Sequence, residues 1–316
     1  MRQSYIITAA IIFFVFWIQC PSFSQDGREA FPMSLVRKDP LAMGMGGANL
    51  ASTSSMAWSS FGNSAKIPFI ANKFDAQASY LDWQVEGAPS KSLGIGVTFK
   101  ITNKLGVSLG ASSSTWDEMS MYSNTGMYEG KYTPNYFQTN VGFGCKILPY
   151  LSFGVDARLL HFSISDDSSL SGVGADLLFM TDLSFTGIKG LKAVAGITQI
   201  GTVSSDDDQS YKLPSAITFG SSYSTVLGEK HGLDADLDAN YFFNSNTSDV
   251  SLGCQYDFKK IAFARLGYHL GGSSSVPSFA TAGLGVQLFG AKLDAAYVIG
   301  SGGLKNSIIF GCGYSF

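Results

Sequence analysis

From Leu233 to Tyr241 the chain alternates without a break. Leu233, Ala235, Leu237, Ala239, Tyr241 and Phe243 occupy one phase, and Asp234, Asp236, Asp238 and Asn240 the other. A period of two belongs to a strand, whose successive side chains point to opposite faces. Three carboxylates on one face cannot touch hydrocarbon, where a charge costs about 2–4 kcal/mol at the bilayer midplane. The pattern therefore demands a sheet with a greasy outside and a wet or paired inside.

The same alternation recurs from Asn72 onward. Leu93, Ile95, Val97, Phe99 and Ile101 share a phase, as do Phe137, Val141, Phe143 and Cys145, and Val173, Ala175, Leu177 and Phe179. Counting such runs predicts about fourteen strands, an even number as a single-chain barrel requires. They begin at Asn72–Val85 and end at Asn306–Phe316, with Leu170–Phe185 and Lys212–Val226 between. One alternate set of turns is short and carries lysine (Lys104, Lys146, Lys189, Lys230, Lys259-Lys260, Lys292). The other is mostly longer and rich in Ser, Asp and Gly, as in Ser113–Pro134 and Ser204–Tyr211. Short periplasmic turns opposite longer outer loops are the habit of membrane barrels. The expected fold is all-β: a transmembrane antiparallel barrel over 72–316, preceded by a luminal plug or hatch segment over 25–71.

The two ends fit that architecture. Arg2, the apolar stretch Tyr5–Ile18 and Ser22-Phe23-Ser24 read as a signal peptide over 1–24, too short in its apolar core to span a bilayer. At the other end Ile308, Phe310, Cys312, Tyr314 and Phe316 alternate and finish on an aromatic. That ending resembles the tag that outer-membrane barrels present to their assembly machinery, which predicts a bacterial outer-membrane location with lipid as the first partner.

With 36 Gly, 13% aromatic and 14% charged residues the chain suits many thin strands facing lipid better than a helical enzyme. A net charge of −3 gives no reason to expect a nucleic-acid partner. Cys145, Cys254 and Cys312 sit on apolar phases and read as small lipid-facing hydrophobes. Converging metal ligands are not apparent, and no cofactor or metal site is predicted.

Before the first predicted strand the alternation stops. Ala42-Met43-Gly44-Met45-Gly46-Gly47-Ala48 precedes a small polar stretch and then Trp58-Ser59-Ser60-Phe61-Gly62-Asn63-Ser64-Ala65. The Met-Gly-Gly-Ala run followed by Trp-x-x-x-x-Asn-x-Ala resembles the amino-terminal motif of the FadL superfamily, which usually reads Asn-Pro-Ala where this chain has Asn63-Ser64-Ala65. Arg265-Leu266-Gly267-Tyr268, Leu284-Gly285-Val286 and Leu293-Asp294-Ala295-Ala296-Tyr297 are similar to its compact PorV/PorQ branch. The resemblance implies a fourteen-stranded, non-enzymatic barrel whose hatch is marked by Gly44, Gly46, Gly47, Asn63 and Ala65. In the PorV/PorQ branch it implies service in type 9 secretion in Bacteroidetes, with a translocon or cargo carboxy-terminal domains as partners. In the fatty-acid branch it implies passive, sideways passage of a hydrophobic ligand.

Three further groups are singled out. Asp156, Arg158, Asp176, Asp182, Asp234, Asp236, Asp238 and Asp257 share the polar phase and are expected inside, with Arg37 and Lys38 as candidate partners. The stretch Ser113–Pro134 carries Trp116, Met121, Tyr122, Tyr128 and Tyr132 and reads either as a partner-contacting loop or as a cover over the barrel mouth. His161, His231 and His269 are the only histidines, and their spacing implies no Ser/His catalytic pair, so catalysis is not expected. A secretion scaffold is the leading expectation, and a passive transporter of hydrophobic molecules the alternative.

Overall fold

The computed structural model describes residues 30–316 apart from 124, 166–167, 206–210 and 272–275. The signal-peptide prediction over 1–24 and the acidic pair and triplet at 166–167 and 206–208 lie outside the described residues. In chain order the strands are β1 Phe74–Trp83, β2 Ser90–Thr102, β3 Leu105–Trp116, β4 Met119–Tyr122, β5 Tyr128–Tyr132, β6 Asn135–Leu148, β7 Leu151–Ser165 and β8 Ser168–Asp182. They continue as β9 Leu191–Ser205, β10 Ala216–Leu227, β11 His231–Phe242, β12 Thr247–Phe258, β13 Ala262–Leu270, β14 Phe279–Leu288, β15 Ala291–Gly300 and β16 Ser307–Ser315. Among the described residues fourteen of these close into one barrel, and β4 and β5 form a separate hairpin.

Closure is made by β1 against β16, antiparallel from Asp75↔Ser315 to Asp82↔Ile308. A closed cylinder leaves no sheet edge, so wall N–H and C=O groups pair within the protein, as hydrocarbon demands. The alternation sorts the side chains as expected. On β2, Leu93, Ile95 and Phe99 are exposed on the outer surface while Ser92 and Thr98 are buried inside. On β11, Leu233 and Tyr241 face out while Asp236 and Asp238 are buried. At the short-turn rim Phe74 packs on Phe99 and Phe316, with ring centroids 5.0 and 5.2 Å apart. No helix among the described residues is long and apolar enough to cross a membrane; the strands do the crossing. This is an outer-membrane β-barrel.

Two predicted strands end differently from the reading above. Leu170–Phe185 stops at Asp182, because the Asp182 carboxylate accepts the Ser184 N–H (2.9 Å) and starts a 3-10 turn over Ser184–Thr186. Lys212–Val226 enters the wall only at Ala216, after Pro214, which has no N–H for a ladder. The stretch Ser113–Pro134 is not a plain loop: β3 continues through Trp116, and β4 and β5 pair from Met119↔Tyr132 to Tyr122↔Tyr128.

Residues 30–71 pack against the inner face of the wall. One helical turn, Pro40–Gly44, is capped by Asp39, whose carboxylate accepts the Leu41 N–H at 2.9 Å, and Pro40 occupies the first helical position. This turn lies against β13, β14, β15 and β16. A 3-10 stretch, Ser64–Phe69, is capped by Asn63 through the Ala65 N–H (2.9 Å) and lies against β3, β6 and β7. The segment thus crosses the lumen from one arc of the wall to the other.

Candidate functional site

An irregular segment inside a barrel has backbone N–H groups that no ladder satisfies, and an ionised carboxylate is a pure acceptor with room for several donors. The wall supplies such carboxylates. Asp238 accepts the N–H groups of Asn49 (2.8 Å) and Leu50 (3.0 Å) through one oxygen. Asp75 accepts the Met56 N–H (3.1 Å) and the Lys292 ammonium (2.9 Å). Asp156 accepts both the N–H (3.1 Å) and the hydroxyl of Ser64. Ser64 stands where the resembled motif has proline, and proline has no N–H to give; Asp156 accounts for a serine at that place.

The predicted luminal residues divide into those that meet this segment and those that do not. Asp234 accepts Gln255 Nε2 (2.8 Å) and Ser54 Oγ (3.2 Å), and Asp236 lies across from Ser222. Arg158 forms a buried ion pair with Asp176, which also accepts the Gln199 N–H at 2.6 Å. Asp182 and Asp257 sit at the short-turn rim instead, each capping a turn. Of the two expected cations, Arg37 donates to the Gly47 carbonyl (3.2 Å) and interacts electrostatically with Asp176, Asp238 and Asp249. Lys38 does not meet a carboxylate; its ammonium donates to Ser92 Oγ at 3.3 Å. Burial lowers Lys38 to about 7 and raises the neighbouring Asp39 carboxyl to about 6. Two ion pairs escaped the sequence reading, Arg265–Asp294 (2.6 Å) and Lys292–Asp75 (2.9 Å).

The hatch-motif residues lie in this contact zone. Gly44 ends the helical turn against β14, Gly46 and Gly47 adopt left-handed backbone (φ 68° and 90°), and Asn63 Nδ2 donates to the Leu50 carbonyl at 2.8 Å. Ala65 is fully buried beside Gly154.

On the loop side of the lumen the wall is irregular. Between Ala175↔Ile200 and Leu177↔Ile197, one residue of β8 faces two of β9, a bulge that places Gln199 at φ 57°. The β9–β10 ladder ends at Ala216↔Thr198, although β9 runs on to Ser205. Leu213 fills the space beside this end, buried against Gly174 and Gly201. It belongs to an apolar cluster with Phe31, Tyr136, Leu160 and Leu170. A cavity of about 70 Å³ adjoins the bulge and is lined by Arg37, Arg158, Asp176, Thr198 and Gln199 on that side. Trp83, Val276, His269 and Phe279 line it elsewhere.

The remaining candidates lie apart from the lumen. On the β4–β5 hairpin Met121, Tyr122 and Tyr128 are exposed and Tyr132 half-buried, while Trp116 at its base packs on Phe162 at 5.3 Å. Phe310 and Tyr314 on β16 and Phe316 just after it are exposed, and Ile308 is half-buried. Two histidines have serine partners that spacing did not suggest: His161 Nδ1 lies 3.0 Å from Ser171 Oγ on the exposed face, and His269 Nδ1 lies 2.9 Å from Ser251 Oγ inside. Among the described residues no group of His, Cys, Asp and Glu converges to hold a metal ion.

No family model and no curated protein matches the sequence. Solved structures do match. The toluene transporter TbuX of Ralstonia pickettii aligns with TM-score 0.62 at 12% identity, over 90% of this chain and 99% of its own. The toluene transporter TodX of Pseudomonas putida aligns with TM-score 0.57 at 15% identity, over 94% of this chain and 99% of its own. A FadL homologue of Pseudomonas aeruginosa aligns with TM-score 0.53 at 10% identity, over 89% and 99%. At such identities the likeness speaks for the fold, and the fold is that of the FadL-like outer-membrane barrels.

Proposed function

We propose that this barrel passes small hydrophobic molecules across the outer membrane, and that they leave the lumen sideways where β9 parts from β10. The observation that carries the reading is the conjunction of the Thr198–Gln199 bulge, the early end of the β9–β10 ladder and a cavity lined by those same residues. The apolar cluster of Phe31, Leu213 and Leu170 beside the end of that ladder gives a greasy solute a surface to follow. Two of the similar barrels are themselves described as toluene transporters, which supports transport over the secretion role. The segment 30–71 acts in this reading as a hatch that leaves only the narrow cavity open.

Deleting Gln199 restores one-to-one pairing between β8 and β9 and removes the bulge. Uptake of toluene and of hexanol by cells carrying the variant is expected to fall about tenfold relative to the parent, with barrel yield unchanged. Undiminished uptake of both would end the lateral-exit reading.

One observation favours a second role. The β4–β5 hairpin holds Met121, Tyr122, Met127 and Tyr128 exposed on the outer side, an aromatic and thioether surface of the kind that binds proteins. If the barrel is a secretion scaffold, excising 118–132 abolishes co-purification of a protein partner from native outer membranes while leaving hexanol uptake intact.

A further inference from the structure

The luminal cavity is not built for plain hydrocarbon. Resting on the transport reading above, we infer that its solutes are neutral amphiphiles bearing a hydroxyl group, whose polar end is held first at His269 and then at Arg158 beside the β8–β9 bulge.

Two residues that line the cavity each hold a buried nitrogen without a hydrogen-bond partner among the described residues: Nε2 of His269 on β13 and Nε of Arg158 on β7. Both residues are more than nine-tenths buried. A buried donor without a partner is costly, and a solute that supplies one recovers that cost. Arg158 Nε can only donate. His269 Nε2 donates or accepts according to how Ser251 bonds Nδ1. A hydroxyl is both donor and acceptor, so it satisfies either group in either state; an alkane satisfies neither.

Charge selects against an acid. The cavity lining holds two cations, Arg37 and Arg158, and two carboxylates, Asp176 and Asp249. Arg158 is already paired with Asp176, and Arg37 feels Asp176, Asp238 and Asp249. No net positive charge is left to compensate a buried solute carboxylate. The cavity, about 70 Å³, admits a hydroxyl and part of a chain rather than a whole solute. The tail has an apolar resting place, since Trp83 and Phe279 pack edge-on at 5.9 Å and His269 stacks on Phe279 at 4.8 Å. From there the second unpaired donor, Arg158, lies at the β8–β9 bulge through the Asp176–Gln199 contact.

The test is binding of hexanol, hexanoate and hexane to the full barrel in lipid nanodiscs, read by saturation-transfer NMR. Hexanol is expected to bind about tenfold more tightly than hexane, the effect of one additional satisfied hydrogen bond, and more tightly than hexanoate, whose charge would be buried without compensation. His269→Phe keeps the ring stack and removes Nε2; it is expected to reduce hexanol binding about tenfold and to leave hexane unchanged. The inference is overturned if hexanoate binds best, or if the parent does not prefer hexanol to hexane, a comparison that needs no variant. If hexanol loses its preference while cells still take up toluene, only the solute class is wrong. If neither toluene nor hexanol enters, the transport reading itself is wrong.

Discussion

Replacing Arg158 by methionine is expected to destabilise the barrel by about 3–5 kcal/mol. The guanidinium lies inside the wall, paired with Asp176 on the neighbouring strand, and both side chains are nearly inaccessible. Removing the cation alone leaves a buried carboxylate to the Gln199 N–H and the field of Arg37, which together compensate it less than the direct ion pair does. The double variant R158M/D176N removes both charges and keeps an oxygen for the Gln199 N–H, and most of the loss is expected to return. Urea unfolding from lipid vesicles, followed by tryptophan fluorescence, measures both. A single variant within 1 kcal/mol of the parent (about the worth of an exposed pair) would show the site to be wetter than its burial implies. Because Asp176 also anchors Gln199, the single variant is expected to loosen the bulge as well.

The wall of this protein is legible in its sequence because hydrocarbon tolerates so few patterns. The run from Leu233 to Phe243 states both faces of β11, and the structure buries Asp236 and Asp238 as the pattern requires. What alternation cannot state is which acceptor meets which N–H of an irregular segment. Asn49 and Leu50 find Asp238 nearly two hundred residues away, and nothing local announces it. Lys38 was expected beside a carboxylate and instead reaches Ser92, because the helical turn that follows fixes where its stem points. Arg265 and Asp294 belong to strands separated by β14, and they meet only because Gly285 between them has no side chain: a Cβ there would lie 2.4 Å from the Asp294 carboxylate. The bulge did leave a trace. Leu191, Ala193, Ala195 and Ile197 hold one phase, but Ile200 and Thr202 hold the other. A phase slip in mid-strand is the signature of an extra residue, and it went unread because each half alone looks regular.

Gly267→Val is expected to evict the luminal segment while leaving the wall standing. A Cβ at Gly267 would lie 2.0 Å from the Gly46 nitrogen and 2.1 Å from the Met45 carbonyl carbon, both backbone atoms with nowhere to go. Gly46 cannot yield by changing conformation, since its φ of 68° already holds the tight turn, and it sits so close to the wall that a Cβ on it would lie 2.5 Å from the Tyr268 nitrogen. The wall ladder at this point is untouched: Gly267 still pairs with Gly253 and Thr281, and a valine suits a strand. Strain therefore falls on the contacts that hold the segment, the Gly46 N–H to Thr281 (2.9 Å) and the packing of Pro40–Gly44 on β13 and β14. Two measurements follow. Protease added from the outer side should cleave within 30–71 in the variant and spare the parent, and planar-bilayer recording should show an ion conductance that the parent lacks. Gly303→Ala, where an added methyl meets nothing within 4 Å, is the matched control and should do neither. If Gly267→Val stays closed and resistant, the turn is held by something other than the close backbone approach, and the luminal segment would have to be anchored through the carboxylates of β1, β7 and β11.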